Sequence, residues 1–215
     1  MSVHMTRIEL LHHEGGVVVV DKPAGLEATG RTREDPGGVE HHLTRQLGRR
    51  VWAVHQLDRD TTGALIFVTR RSLVARWQER LKAAEKRYLA IVHGVLTEPR
   101  SVDAAMAYDD ERRRWVTRED GKPAQTRLRP MGTNGAATLV EARPTTGRTH
   151  QIRVHLASLG HPLIGERRHR EPPCTEHPRH ALHLQSITLT DMTFLSPAPP
   201  DLVALASRLG LPKLI

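Results

Sequence analysis

Cysteine is almost missing from this chain: Cys174 stands alone, so no internal disulfide can form and nothing calls for an oxidising compartment. The N-terminus has no basic segment leading into an apolar core of about 7 to 15 residues, and no stretch approaches the roughly 18 apolar residues of a membrane span. A cytoplasmic protein without membrane attachment is expected. There is no fixed-period repeat and no long low-complexity tract, which excludes solenoid arrays. Neither a GxGxxG nor a Walker pattern occurs, so nothing points to a nucleotide cofactor.

What the chain has in excess is positive charge. A formal net charge of +8 over 215 residues predicts attraction to polyanions, nucleic acid first among them. Scattered arginine also suits an ordinary solvated surface. Charge therefore names a partner class only when a site accompanies it. The length fits a single domain over residues 1–215, and a monomer is expected.

The stretch from His55 to Thr69, HQLDRDTTGALIFVT, runs from a polar, acidic turn directly into an apolar strand. Ala64 to Val68 favours a buried strand, and Gly63 lets the chain bend as it enters. Asp58 and Asp60 are thereby displayed on a loop anchored by a rigid element, the support that a reactive carboxylate needs. Asp, Thr and Gly also gather at ordinary turns, so the residue types alone leave both readings open. HQLDRDTTG is, however, similar to the HRLDxxTSG signature of the RluA-type pseudouridine synthases, in which the first Asp is catalytic. The resemblance puts that role on Asp58. Gln56 stands where the family usually has an Arg that fills the space left by a flipped nucleotide, and His55, Arg59 and Thr62 fall beside it as implied substrate-binding residues.

The resemblance begins near residue 8. VVVVDKPAGLEATG is similar to the family's VVNKPAGL opening, a strand closed by a proline and glycine turn. Starting so early, it implies no separate RNA-binding domain of S4 type. Gly30 to Gly38 reads as a loop and Val39 to Leu47 has weak helical spacing. Ser72 is a suitable N-cap for a helix whose Leu73, Trp77 and Leu81 form an apolar stripe, which makes Trp77 a core residue. Glu85 to Leu96 alternates as a strand, and its Lys86, Tyr88, Ala90, Val92 and Gly94 match the family's KxYxAxVxG. The match implies that Tyr88 contacts the target uracil, with Lys86 in the substrate site. Asp109 to Asp120 reads as a hairpin whose Arg112, Arg113 and Arg114 either face solvent or track a phosphate backbone. Lys122 to Arg127 and Ala136 to Ala142 read as further strands.

Arg143 to Glu166, RPTTGRTHQIRVHLASLGHPLIGE, resembles the family's TGRxHQIRVHLxxxGHPIxGD. Thr149 is placed to cap a helix with Ile152, Leu156 and Leu159 on one apolar face and Arg153 on another. The resemblance implies that Arg153 pairs with the catalytic Asp, and that Arg148, His150 and Gln151 meet the substrate. ALHLQSITLT is similar to the family's ALHAxxLxF strand, with Leu182 as a wall of the uracil pocket. Cys174, His177 and His180, at intervals of three, raise a metal reading, which the intervening prolines and the lack of paired ligands weigh against. A strand through Phe194 and a helix from Asp201 to Leu209 close the chain. Strand after strand with few helices predicts an α+β fold, a mixed, largely antiparallel central sheet with a few flanking helices.

The activity implied is isomerisation of specific uridines in structured RNA, tRNA or rRNA, to pseudouridine. The bond from N1 to the ribose breaks, the uracil turns, and the base rejoins through carbon 5. No net oxidation or group transfer occurs, so no cofactor and no metal are expected. A carboxylate can attack covalently or remove a ribose proton, and the residues do not choose between these routes. The target must leave its stack, which favours loops and distorted stems. Two other readings compete. LDRDTTG contains DxDxT, the nucleophile pattern of the magnesium-dependent haloacid-dehalogenase phosphatases, though these place it after an apolar strand. A non-catalytic RNA-binding protein would explain the charge alone.

Overall fold

The computed structural model describes residues 6–214. They form two compact units, the first running up to Glu85 and resuming over Leu184–Pro197, the second spanning Lys86–His183 and resuming at Ala198.

In the first unit, strands β1 (Glu9–Glu14) and β2 (Val17–Lys22) form an antiparallel hairpin. Helix α1 (Val39–Leu47) follows, with Val39, His42 and Leu43 as its buried face and Gly48 ending it in the left-handed region. The short β3 (Trp52–Ala53) and the long β4 (Thr62–Val68) come next; β2 and β3 both pair antiparallel with β4. All seven residues of β4 are buried, as are the four valines of β2 that lie against it, which is why both segments read as continuous apolar runs rather than alternations. Gly63 has φ +123, and a Cβ there would stand 2.2 Å from the Leu184 carbonyl oxygen. The position accepts only glycine. A 3-10 turn, Arg71–Leu73, precedes helix α2 (Val74–Lys82). Ser72 lies inside that turn and makes no side-chain cap, contrary to the sequence expectation. Trp77 is buried as expected, with the Arg80 guanidinium 4.5 Å from its ring centre.

The second unit opens on β5 (Glu85–His93) and continues with β6 (Arg100–Asp103), the hairpin β7 (Met106–Asp109) and β8 (Arg114–Thr117), then β9 (Gln125–Thr133) and β10 (Ala137–Pro144). β5, β10, β9 and β6 lie side by side in that order, antiparallel throughout. Period-two alternation divides the core. Leu89, Ile91 and Leu139 point to one face, Ala90, Val92 and Val140 to the other. The second face packs on Ile152 and Leu156 of helix α3 (Gln151–Ser158).

Strand β11 (Leu182–Thr188) carries the chain back to the first unit, where its end pairs with β12 (Thr193–Leu195). Helix α4 (Pro200–Arg208), with proline at its start, returns to the second unit and covers the Leu89 face with Leu202, Leu205 and Ala206. The fold is α+β, with four α-helices among the described residues and antiparallel pairing in every strand pair described above. No helix among the described residues is long and apolar enough to cross a membrane.

Candidate functional site

The acidic loop is built on a backbone clasp within the first unit. Lys22 is fully buried, and its ammonium donates to the carbonyls of Pro23 (2.8 Å), Leu26 (2.6 Å) and Arg59 (2.8 Å). A buried ammonium is costly unless its donors are satisfied, and three carbonyls satisfy them here. Arg59 returns the contact: its Nε donates to Gly25 O at 2.9 Å and its carbonyl accepts the Gly25 N–H at 3.0 Å. The KPAG turn and the DRD turn are thereby locked together. Asp58 opens a tight turn in which its carbonyl accepts the Thr61 N–H at 3.0 Å, and its side chain is half-buried. Behind it, His55 Nε2 accepts the Ile66 N–H at 3.1 Å and Thr62 is buried at the start of β4. Gln56 is exposed, with its amide 3.4 Å from Thr29 Oγ1. Asp58 thus sits on a loop fixed at both ends, as its sequence context predicts. Lys22 is a supporting residue that the motif contained and sequence reasoning passed over.

The remaining candidates, Lys86, Tyr88, Arg148, His150, Gln151, Arg153 and Leu182, belong to the second unit. Tyr88 is partly buried against the same apolar cluster as Leu182, and burial pushes the Lys86 ammonium below its ordinary pKa. Thr149 does not cap α3; it is exposed, and the helix starts from His150 in the left-handed region at φ 57. Gln151 organises the start instead. Its Oε1 accepts the Arg148 N–H (3.0 Å) and the Thr146 hydroxyl (2.8 Å), and its Nε2 donates to Gln125 O (2.8 Å) and Thr126 Oγ1 (3.0 Å). Arg148 Nε is committed to Pro123 O at 3.0 Å. The expected single apolar face is wider than the spacing implied: Gln151 to Leu156 are all buried, while Leu159 lies beyond the helix and is 39% exposed.

Arg153 makes a bidentate ion pair that the sequence did not disclose. Its Nε donates to Glu166 Oε2 and its Nη2 to Glu166 Oε1, both at 2.9 Å, and Glu166 is fully buried. Burial pushes the Glu166 carboxyl up, but the Arg153 hydrogen bonds and charge, aided by the Arg168 N–H, outweigh it and bring its pKa to about 2. His169 is held down to about 3, by burial first and by the Arg153 charge second, and its ring lies 2.9 Å from that of His150. His180 is pushed well below the ordinary histidine range by the same two causes.

Cys174, His177 and His180, whose sequence context weighed against a metal site, are not the residues whose donor atoms converge. Among the described residues, the group whose donor atoms converge is His93, Cys174 and Glu176, with His93 Nε2 3.4 Å from the Cys174 sulfur. His177 Nδ1 instead donates to Arg179 O at 2.7 Å. The Arg170 guanidinium already lies 2.6 Å from His93 Nε2, so a cation faces the nitrogen that would bind a metal. In the β7–β8 hairpin, Tyr108 meets Trp115 edge to face at 5.7 Å, Arg112 pairs with Asp109 at 2.9 Å and Arg114 with Glu171 at 2.7 Å. At least two of its three arginines therefore have partners in the protein.

Comparison with known proteins identifies relatives of the chain. Residues 16–158 match the family model described as RNA pseudouridylate synthase. Ribosomal large subunit pseudouridine synthase D of Nitrosomonas europaea is 34% identical over 228 residues, an alignment that covers 92% of this chain but 64% of that protein. The synthase D of Pseudomonas aeruginosa is 32% identical over 231 residues, covering 94% of this chain and 72% of its own. The chain spans less than two thirds of the length of the Nitrosomonas relative. Among solved structures, human RNA Pseudouridylate Synthase Domain Containing 4 shares the fold with a TM-score of 0.79 at 22% identity, covering 96% of this chain and 95% of that one.

Proposed function

The chain belongs to the RNA pseudouridylate synthase family, and on that premise we propose that it isomerises a uridine of ribosomal RNA to pseudouridine with Asp58 as the catalytic carboxylate. The observation that carries this reading is the clasp through Lys22 and Arg59, which immobilises the turn bearing Asp58 inside the matched region. A carboxylate that must act on one ribose or base atom gains most from such fixation, because misplacement by about 1 Å costs on the order of a hundredfold in rate. Tyr88 and Leu182 are the proposed contacts to the uracil, and Arg153 completes the catalytic set. His55, Gln56, Arg59, Thr62, Lys86, Arg148, His150 and Gln151 are the proposed RNA-facing or loop-fixing residues. Ribosomal RNA is the substrate class because the relatives are named for it.

The phosphatase reading fits less well, because the apolar strand β4 follows the DxDxT motif rather than preceding it. Incubation with ribosomal and transfer RNA, followed by chemical derivatisation of pseudouridine and mapping of the site, tests the proposal. Conversion of a ribosomal uridine is expected, and it should survive exhaustive chelation once the RNA is folded. Loss of turnover with EDTA, restored by magnesium without refolding of the RNA, would favour the phosphatase; modification of tRNA alone would replace the substrate class.

Gln56 is the departure from the family motif, and its exposure on the clasped loop leaves it able to enter the gap left by a flipped nucleotide. An amide can fill that gap and hydrogen-bond an orphaned base, but forgoes the cation-π and phosphate attraction of arginine. Gln56→Ala is expected to slow modification far more on a stacked stem than on an open loop. Gln56→Arg should bind more tightly and steepen the salt dependence by up to about one ion. Equal, small effects on paired loop and stem RNAs would show that Gln56 stays out of the gap.

A further inference from the structure

Resting on the function just proposed, we propose that Glu166 is a positioning residue: it fixes the guanidinium of Arg153 in one plane and thereby sets the rate of isomerisation without touching the RNA. Arginine reaches its guanidinium through a flexible stem, so a catalytic arginine needs an anchor to present the same edge in every turnover. Glu166 is itself fully constrained. Its Oε1 accepts the Arg168 N–H at 2.9 Å and the His169 N–H at 3.2 Å in addition to Arg153 Nη2, while Oε2 accepts Arg153 Nε. With the carboxylate held by main-chain donors, its plane cannot turn, and the two-point contact passes that plane on to the guanidinium.

The loop carrying Glu166 is equally confined. Gly165 has φ +78, and a Cβ there would fall 1.9 Å from the Arg179 carbonyl oxygen, so the backbone runs hard against its neighbour. At the other end, the His169 ring bonds to that of His150, which begins α3, the helix that bears Arg153. Glu166 thus ties the side chain of Arg153 to a loop that is also tied to the start of its helix. The fork that meets Glu166 is made of Nε and Nη2.

The test is a double-mutant cycle on the full chain. Single-turnover rates of pseudouridine formation at saturating RNA, RNA affinity by filter binding, and folding by circular dichroism are measured for Glu166→Gln, Arg153→Lys and the double variant. Glu166→Gln is expected to slow the chemical step on the order of 10- to 100-fold, the scale of a misplacement by about 1 Å, with affinity unchanged within twofold. Because Glu166 acts through Arg153, adding Glu166→Gln to Arg153→Lys should cost less than threefold more. A wild-type rate for Glu166→Gln, full additivity in the cycle, or a loss confined to RNA affinity would each overturn the inference. Should Glu166→Gln not fold, Glu166→Asp keeps the charge but withdraws the oxygens by about 1.5 Å, one carbon-carbon bond. A slower rate at unchanged affinity then supports the role, and an unchanged rate overturns it. The parent reading fails separately: it falls if the unmodified protein converts no uridine at all.

Discussion

Asp58→Asn is expected to abolish pseudouridine formation, by at least about a thousandfold, which corresponds to roughly 4 kcal/mol of activation barrier. The amide is nearly the same size as the carboxylate but serves neither as a nucleophile toward the sugar or base nor as a base toward a ribose proton. The turn should survive the change, because the bond that closes it uses the Asp58 main-chain carbonyl and the Thr61 N–H. The clasp is untouched too, since Lys22 and Arg59 meet main-chain atoms. RNA affinity should stay within a few fold, as phosphate contacts rather than one carboxylate supply most of the binding. Asp60→Asn is the control on the same loop and should be milder. Single-turnover conversion of a ribosomal RNA fragment, alongside filter binding, measures both; equal losses in the two variants would remove the basis for assigning Asp58.

The parts of the fold that were legible in the sequence are those where burial is complete or periodic. Val17 to Val20 and Ala64 to Val68 announced themselves because β2 and β4 are enclosed on both faces. α1 and α4 followed from spacing and composition. β1 did not, because ELLHHE is a half-exposed strand with a register shift between Leu10 and His12, and its pattern is neither apolar nor cleanly alternating. The two expected caps failed for a shared reason. Ser72 and Thr149 are good capping types, but the chain entered one helix through a 3-10 turn and the other through a left-handed His150 stabilised by the Gln151 network.

The site was legible where a motif is contiguous and hidden where a partner arrives from elsewhere in the chain. Asp58 could be read from its own turn. Lys22 could not be read as its support, because the Arg59 carbonyl that it holds lies 37 residues away. Cys174 invited neighbours at intervals of three, yet its contacts are His93 Nε2 and the Gly165 N–H, brought together by folding alone. Glu166 escaped notice in the same way, since nothing in the spacing of two residues 13 apart predicts a bidentate pair.

That pair makes Arg153→Met the second large effect, in stability as well as activity. Removing one partner of a buried ion pair typically costs about 3 to 5 kcal/mol, because the other charge is left in a poorly solvated site. Arg153 is 7% exposed and Glu166 0%, so the discount that applies to surface pairs does not apply here. For a chain of this size that loss lowers the melting temperature by roughly 6 to 20 °C. The pH dependence identifies the cause. In the unmodified protein Glu166, at about 2, contributes stability that is present above its unfolded value near 4.5 and is lost as pH falls from there toward 2. His169, held near 3, and His180 bind protons more readily when unfolded, so stability already declines as pH drops below about 6.5. Without Arg153 the largest influences opposing burial are gone and only the Arg168 N–H and the His169 charge still lower the Glu166 pKa, so it rises from about 2 and protonation on acidification relieves the variant. The stability deficit of Arg153→Met should therefore be largest at pH 7 to 8 and shrink toward pH 4.5, while pseudouridine formation is lost at every pH. Urea unfolding of both proteins across that range reads the difference: a deficit independent of pH would mean that lost packing, and not a stranded Glu166 carboxylate, destabilises the variant, and a fully active, fully stable variant would mean that Arg153 has been misassigned.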